Sequence, residues 1–159
     1  MNDGPAAAIR HILVVCEGNH CRAPMAEALL RSLLPPDITV ESAGLSALVG
    51  APADPEAQRL MADIGLDISA HVGRQLTYDM TAAADLILVM DQSQKGWCGQ
   101  LFPSSIGRIF LLGHWQPPAS REIQDPFGRD PEAFRIALEA IRQSVSDWPP
   151  HLTTKQRSA

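Results

Sequence analysis

The sequence predicts an α/β fold: a doubly wound, four-stranded parallel sheet with helices on both faces. Two observations lead there. Short runs rich in Ile, Leu and Val alternate along the chain with longer stretches of helical periodicity, the order required when parallel strands are joined by crossover helices. Three of the four runs are apolar at nearly every position, as strands covered on both faces are.

The first strand is expected over 11–15 (His-Ile-Leu-Val-Val) and the first helix from near Pro24. A second strand is expected over 38–42. The second helix begins near Pro55, because Asp54 offers an N-cap acceptor and the missing N–H of proline is harmless in a first turn. Gly65 stops it. A third strand over 86–90 precedes a helix from near Ser93, and a fourth over 108–112 precedes a long loop. The last helix starts at Pro131, capped by Asp130, and shows Phe134, Ala137, Leu138, Ile141 and Val145 on one face, so it should lie along the sheet. Pro149-Pro150 is expected to end it, leaving Thr153 to Ala159 as a loose tail.

The chemistry is concentrated in one segment, Cys16-Glu17-Gly18-Asn19-His20-Cys21-Arg22. A strand running into a short loop and then a helix aims several backbone N–H groups at one point, with the positive end of the helix dipole behind them. Such a point binds anions. Cys16 stands at the strand's end, where the N–H groups, the helix terminus and Arg22 all favour thiolate over thiol. Arg22 suits a phosphoryl group because its planar fork takes two oxygens at once. Glu17, Gly18, Asn19, His20 and Cys21 then form the substrate-binding cradle, with Gly18 permitting close backbone approach. In a doubly wound sheet ligands bind beyond the carboxyl ends of the strands. Ser42, Asp91 and the loop after Leu112 lie at the other strand ends and should face the same crevice.

These residues resemble the low-molecular-weight protein tyrosine phosphatases, whose nucleophile loop reads C-x-G-N-x-C-R-S-P near the N-terminus. Cys16, Gly18, Asn19, Cys21, Arg22 and Pro24 match. So do Met25-Ala26-Glu27-Ala28, Glu41-Ser42-Ala43-Gly44, the stretch from Asp85 to Asp91, and Asp125-Pro126-Phe127. The likeness runs from about Ile9 to Trp148. It implies hydrolysis of phosphotyrosine through a phosphocysteine formed on Cys16, with inorganic phosphate as product. On the residues alone, Asp125-Pro126 reads as a turn; the resemblance makes Asp125 the general acid and sets Phe127 at the rim against the aryl group. It also implies that Asn19, Ser42 and His71 support the loop by hydrogen bonds, and that Cys16 and Cys21 form a reversible disulfide on oxidation. Cys21 otherwise reads as a small residue packed inward.

Two positions depart from the family. A Ser or Thr is usual after the loop arginine, where this chain has Ala23; that hydroxyl assists departure of the sulfur, so breakdown of the phosphocysteine should be slow. Position 20, usually small or aliphatic, is His20, which either donates to the phosphate or faces solvent. The stretches 41–50, 53–55 and 113–115 look most like the bacterial branch linked to capsule and exopolysaccharide export, which acts on tyrosine-phosphorylated autokinases. Leu48 and Val49 would then border the crevice.

Composition agrees with one domain over 1–159: 159 residues with 45% hydrophobic content suffice for one core. A formal net charge of −5 argues against nucleic acid as partner, and no apolar run is long enough to enter a membrane as a span. With no secretory signal evident, the chain is expected in the cytoplasm. Three cysteines read as reduced thiols, with Cys98 a core residue of a helix. No Cys or His pair shows zinc-ligand spacing, so no metal is expected, and no organic cofactor is implied. Rival functions are an arginine phosphatase, a phosphotyrosine-binding pseudophosphatase, and a thiol-coupled arsenate reductase. The last needs a cysteine just after the third strand, where this chain has Met90-Asp91.

Overall fold

A computed structural model of the chain describes residues 8–152. Four strands form one sheet: β1 (His11–Cys16), β2 (Thr39–Gly44), β3 (Leu86–Val89) and β4 (Ile109–Leu111). Their order is β2-β1-β3-β4, with every neighbouring pair parallel. Among the described residues the longer α-helices that accompany them are α1 (Arg22–Leu33), α2 (Pro55–Asp63), α3 (Tyr78–Ala83), α4 (Gln92–Leu101) and α5 (Pro131–Ser146). The chain leaves β1 toward β2 on one side and returns to place β3 on the other, so the sheet's switch point lies at the carboxyl end of β1, where Cys16 sits.

Side-chain alternation divides the core in two. Ile12, Val14, Val40, Leu86 and Leu88 pack on one face with Met25 and Leu30 of α1, Met61 of α2, and Phe134 and Ile141 of α5. Leu13, Val15, Ile87, Val89 and Leu111 pack on the other with Cys98 of α4. Helices thus cover both faces, and a strand buried on both sides has no polar position to spare.

The helix starts follow local chemistry. The Asp54 carboxylate accepts from the Glu56 N–H at 2.8 Å and that of Asp130 from the Ala133 N–H at 3.0 Å, each just before a first-turn proline. Gly65 adopts φ +86° beyond the end of α2, a left-handed conformation that favours glycine.

The structure departs from the sequence reading in detail. α3 was not expected: Thr77 caps it by accepting from the Met80 N–H, but six residues are too few to display a helical period. α5 stops at Ser146, before Pro149-Pro150, and the proline pair opens a further helical turn over 149–152. A proline in a first turn starts a helix more readily than it ends one. The expected tail from Thr153 to Ala159 lies outside the described residues. Among the described residues, no helix is long and apolar enough to cross a membrane.

Candidate active site

The carboxyl end of β1 runs into a loop that closes on the N-terminus of α1. Three backbone bonds pin this loop to the segment after β2: Leu45, Ser46 and Leu48 donate to the carbonyls of Cys16, Glu17 and Gly18 at 3.0, 2.8 and 3.0 Å. Packing there is close enough that a Cβ on Gly44 would stand 2.8 Å from the Glu17 carbonyl oxygen and 2.9 Å from the Asn19 nitrogen. Gly44 is thus a glycine required by close approach to the loop. Gly18, given that role by the sequence, has room for a Cβ, whose nearest neighbour would be the Cβ of His20 at 3.6 Å. The left-handed residue of the loop is Asn19, at φ +53°.

Asn19 is buried and held on three sides. Its amide donates to the Ser42 hydroxyl at 3.0 Å, its side-chain oxygen accepts from the Arg74 N–H at 2.8 Å, and its carbonyl lies 2.8 Å from His71 Nε2. The bond geometry makes Nε2 the protonated ring nitrogen. Ser42 in turn donates to Glu27 at 2.6 Å, and Glu27 pairs with Arg31 at 2.6 Å. The Arg74 guanidinium bonds the Ser42 carbonyl at 3.1 and 3.2 Å and pairs with Glu41. Of these residues the sequence singled out Asn19, Ser42 and His71. Glu27, Arg74 and Arg31 were not, because a polar residue's long-range partner leaves no local pattern.

Arg22 is almost fully buried, at 3% exposure, and its fork is occupied from the protein side. Nη1 donates to the Ile123 carbonyl at 2.7 Å and lies 3.7 Å from Asp91, while Nη2 lies 3.6 Å from Asp125. Asp91 does double duty, because its other oxygen caps α4 by accepting from the Gln94 N–H at 2.8 Å. Its place at the end of β3 was the signal available in the sequence.

Above the loop opens a cavity of about 280 Å³, with Cys16, Arg22 and Cys21 deep in it and Asp125, Leu48 and Phe127 among its walls. The Asp125 carboxylate accepts from the Phe127 N–H at 3.0 Å, which shapes the turn that carries both. Phe127 is 54% exposed, and its ring meets the His20 imidazole edge-on, with centroids 5.4 Å apart. His20 lines the cavity, with Nε2 3.5 Å from the Asp54 carboxylate. Glu17 and Gly18 line the same space. Ser42 and His71 stand behind the loop and line a separate cavity of about 420 Å³.

Electrostatics at Cys16 pull in two directions. Burial pushes the thiol up, whereas the Arg22 charge and the N–H groups of Ala23, Asn19 and His20 pull it down. Burial prevails, so the sequence expectation of a thiol depressed by its cradle misses the cost of placing a charge out of water. Cys21 is also pushed up, by burial and then by Asp54, Cys16 and Asp125.

Comparison with known proteins fits this geometry. The family model for low molecular weight phosphotyrosine protein phosphatase matches residues 11–158. The probable low molecular weight protein-tyrosine-phosphatase EpsP of Ralstonia nicotianae is 47% identical over 144 residues, covering 91% of this chain and 97% of its own. Among solved structures, the tyrosine phosphatase AmsI of Erwinia amylovora superposes with a TM-score of 0.88 at 37% identity, over 93% of this chain and 96% of that one. Wzb of Vibrio vulnificus, solved with benzylphosphonate, gives 0.86 at 36% identity, over 91% and 100%. A buried arginine at the head of α1, a cysteine at the sheet's switch point and this breadth of similarity converge: the chain belongs to the low molecular weight protein-tyrosine-phosphatase family.

Proposed function

We propose that this enzyme hydrolyses phosphotyrosine in proteins through a phosphocysteine on Cys16. The observation that carries the reading is the alignment of three groups around one cavity: the Cys16 sulfur, the Arg22 guanidinium and, 3.6 Å from that guanidinium, the Asp125 carboxylate. The thiolate attacks phosphorus, the S–P bond forms as the bond to the phenolic oxygen breaks, and protonated Asp125 gives its proton to that oxygen. Water then attacks phosphocysteine, with Asp125 taking its proton, and inorganic phosphate leaves. The loop N–H groups and Arg22 hold the charge gathered on the equatorial oxygens, which is where stabilisation lowers the barrier. The thiolate that burial disfavours in the free enzyme is a less hydrated, stronger nucleophile once formed.

Leu48 and Phe127, which both line the cavity, suit a flat aryl ring, and the burial of Cys16 and Arg22 favours tyrosine over the shorter serine. Motif likeness in 41–50, 53–55 and 113–115 supports a cytoplasmic role on a bacterial tyrosine autokinase of exopolysaccharide export. Glu17, Gly18, Asn19, His20 and Cys21 supply the cradle, while Ser42 and His71 hold it from behind.

Steady-state hydrolysis of phosphotyrosine peptide, phosphoarginine and p-nitrophenyl phosphate, with and without orthovanadate, tests the reading. Phosphotyrosine should be preferred and vanadate should inhibit. Cys16→Ser and Arg22→Ala should abolish turnover, and Asp125→Ala should slow poor leaving groups most, within the ~10²–10⁴-fold range of general acids. Preference for phosphoarginine, or tight phosphopeptide binding without turnover, would sink the proposal.

A further inference from the structure

His20, Cys21 and Asp54 bring an imidazole nitrogen, a sulfur and a carboxylate oxygen within 4.8 Å of one another. No spacing in the sequence announced this, because Asp54 arrives from the cap of α2 while the other two belong to the phosphate loop. The arrangement is braced by backbone: the Asp54 N–H donates to the His20 carbonyl at 3.0 Å. One carboxylate oxygen is committed to the Glu56 N–H, which turns the other toward His20 Nε2 at 3.5 Å. That separation is long for a hydrogen bond, yet it matches the distance of about 3.3–3.7 Å between two ligands of a tetrahedral zinc ion with ordinary bond lengths.

One further observation points the same way. His20 Nδ1 is buried without a hydrogen-bond partner, so no bond at that nitrogen holds the ring against presenting Nε2 to a cation. Access exists, since His20 and Cys21 line the active-site cavity.

We propose that His20, Cys21 and Asp54 form a binding site for a divalent cation of the zinc class, and that its occupancy reversibly inhibits the enzyme. One nitrogen, one sulfur and one oxygen suit zinc and do not suit magnesium or calcium, which take oxygen ligands. On binding, the Cys21 S–H loses its proton to solvent as the metal–sulfur bond forms, and water completes the tetrahedron. Inhibition follows because two of the five residues between Cys16 and Arg22 become ligands, which sets the metal and its water against the cavity that the phosphate must enter. The inhibitory half rests on the phosphatase reading; the metal site does not.

Cobalt(II) titration of the chelator-treated full chain, read by the thiolate-to-cobalt charge-transfer absorption and followed by zinc competition, tests the site. Wild type and Cys16→Ser should both give the band, Cys21→Ser should lose it, and Asp54→Asn, which keeps the helix cap, should weaken binding roughly tenfold or more. In a parallel assay with p-nitrophenyl phosphate, zinc should inhibit wild type, and Asp54→Asn should hydrolyse at the wild-type rate without metal and resist zinc by a similar factor. A band that survives Cys21→Ser but vanishes in Cys16→Ser would place the metal on the nucleophile and overturn the proposal. Equal affinity in wild type and Asp54→Asn, no band at all, or binding without inhibition would overturn it too. Binding as expected in an enzyme that hydrolyses nothing supports the site and sinks the phosphatase reading instead.

Discussion

Arg22 Nη2 lies 3.6 Å from the Asp125 carboxylate while Nη1 donates to the Ile123 carbonyl at 2.7 Å. The residue that opens α1 is therefore tied to the loop before α5, about a hundred positions downstream. A guanidinium can do this and still present N–H groups to a phosphate, because its five donors leave in different directions from one plane.

Arg22→Lys keeps the charge and loses the fork. Lysine has a single nitrogen at its tip, which cannot serve the Ile123 carbonyl, the two aspartates and a phosphoryl group together. Turnover of p-nitrophenyl phosphate is expected to fall about 10²–10³-fold, the usual cost of one lost transition-state donor, with far-UV circular dichroism unchanged. Retention of more than half of the activity would show that charge alone suffices.

Asn19 separates two contributions to the loop, backbone conformation and hydrogen bonding. Its φ of +53° is strained for a residue with a side chain, and Ser42, Arg74 and His71 hold it there. Asn19→Ala should lower stability by about 2–3 kcal/mol, because two buried bonds are lost while the strain remains. Asn19→Gly removes the strain and should recover part of the midpoint in urea, but not the turnover. His71→Ala, which removes a single bond, should cost about two- to tenfold in kcat. If Asn19→Gly matches the wild-type rate, the side-chain bonds do not hold the loop for catalysis.

The parts of this site that sequence revealed are those whose chemistry is local. Cys16 and Arg22 belong to one strand-loop-helix, and the runs of Ile, Leu and Val around 12–15 and 86–89 read as strands because both faces of the sheet are covered. Asp54 and Asp130 announced their helices through caps that need only the next three residues. What escaped notice depends on distant pairing: Arg74 with Asn19, Glu27 with Ser42, Asp91 with Arg22. Gly44 and Gly18 show the same limit. Both look like loop glycines, and only the approach of the Glu17 carbonyl to Gly44 tells which one must lack a side chain. Likewise His20 neither faces open solvent nor stands alone, since Asp54 and Phe127 flank it.

Position 23 offers a kinetic test. Ala23 is fully buried, and its N–H helps lower the Cys16 thiol, yet it has no hydroxyl to bond the sulfur as it departs. One hydrogen bond to a charged group is worth about 1.5–3 kcal/mol, which on a barrier is roughly ten- to a hundredfold. Rapid-quench kinetics on an aryl phosphate should therefore show a burst of phenol, and Ala23→Ser should raise steady-state turnover while shrinking the burst. A wild type without a burst, together with a Ser variant no faster, would assign the slow step elsewhere.

Cys98 predicts the behaviour of the fold in alkali. It is fully buried against the second face of the sheet, and burial raises its thiol from 9.0 to about 11. The unfolded chain ionises this thiol first, so the neutral form's contribution is complete below pH 9 and is lost as pH rises through the folded value. Two units amount to about 3 kcal/mol at most. Cys98→Ala loses packing and is less stable at neutral pH, but it has no buried proton to lose. The gap in unfolding free energy between wild type and Cys98→Ala, measured by urea titration, should narrow from about pH 8 to pH 11. Parallel curves would mean that the thiol ionises in the folded state as readily as in the unfolded one, and that α4 opens to admit water at its inner face.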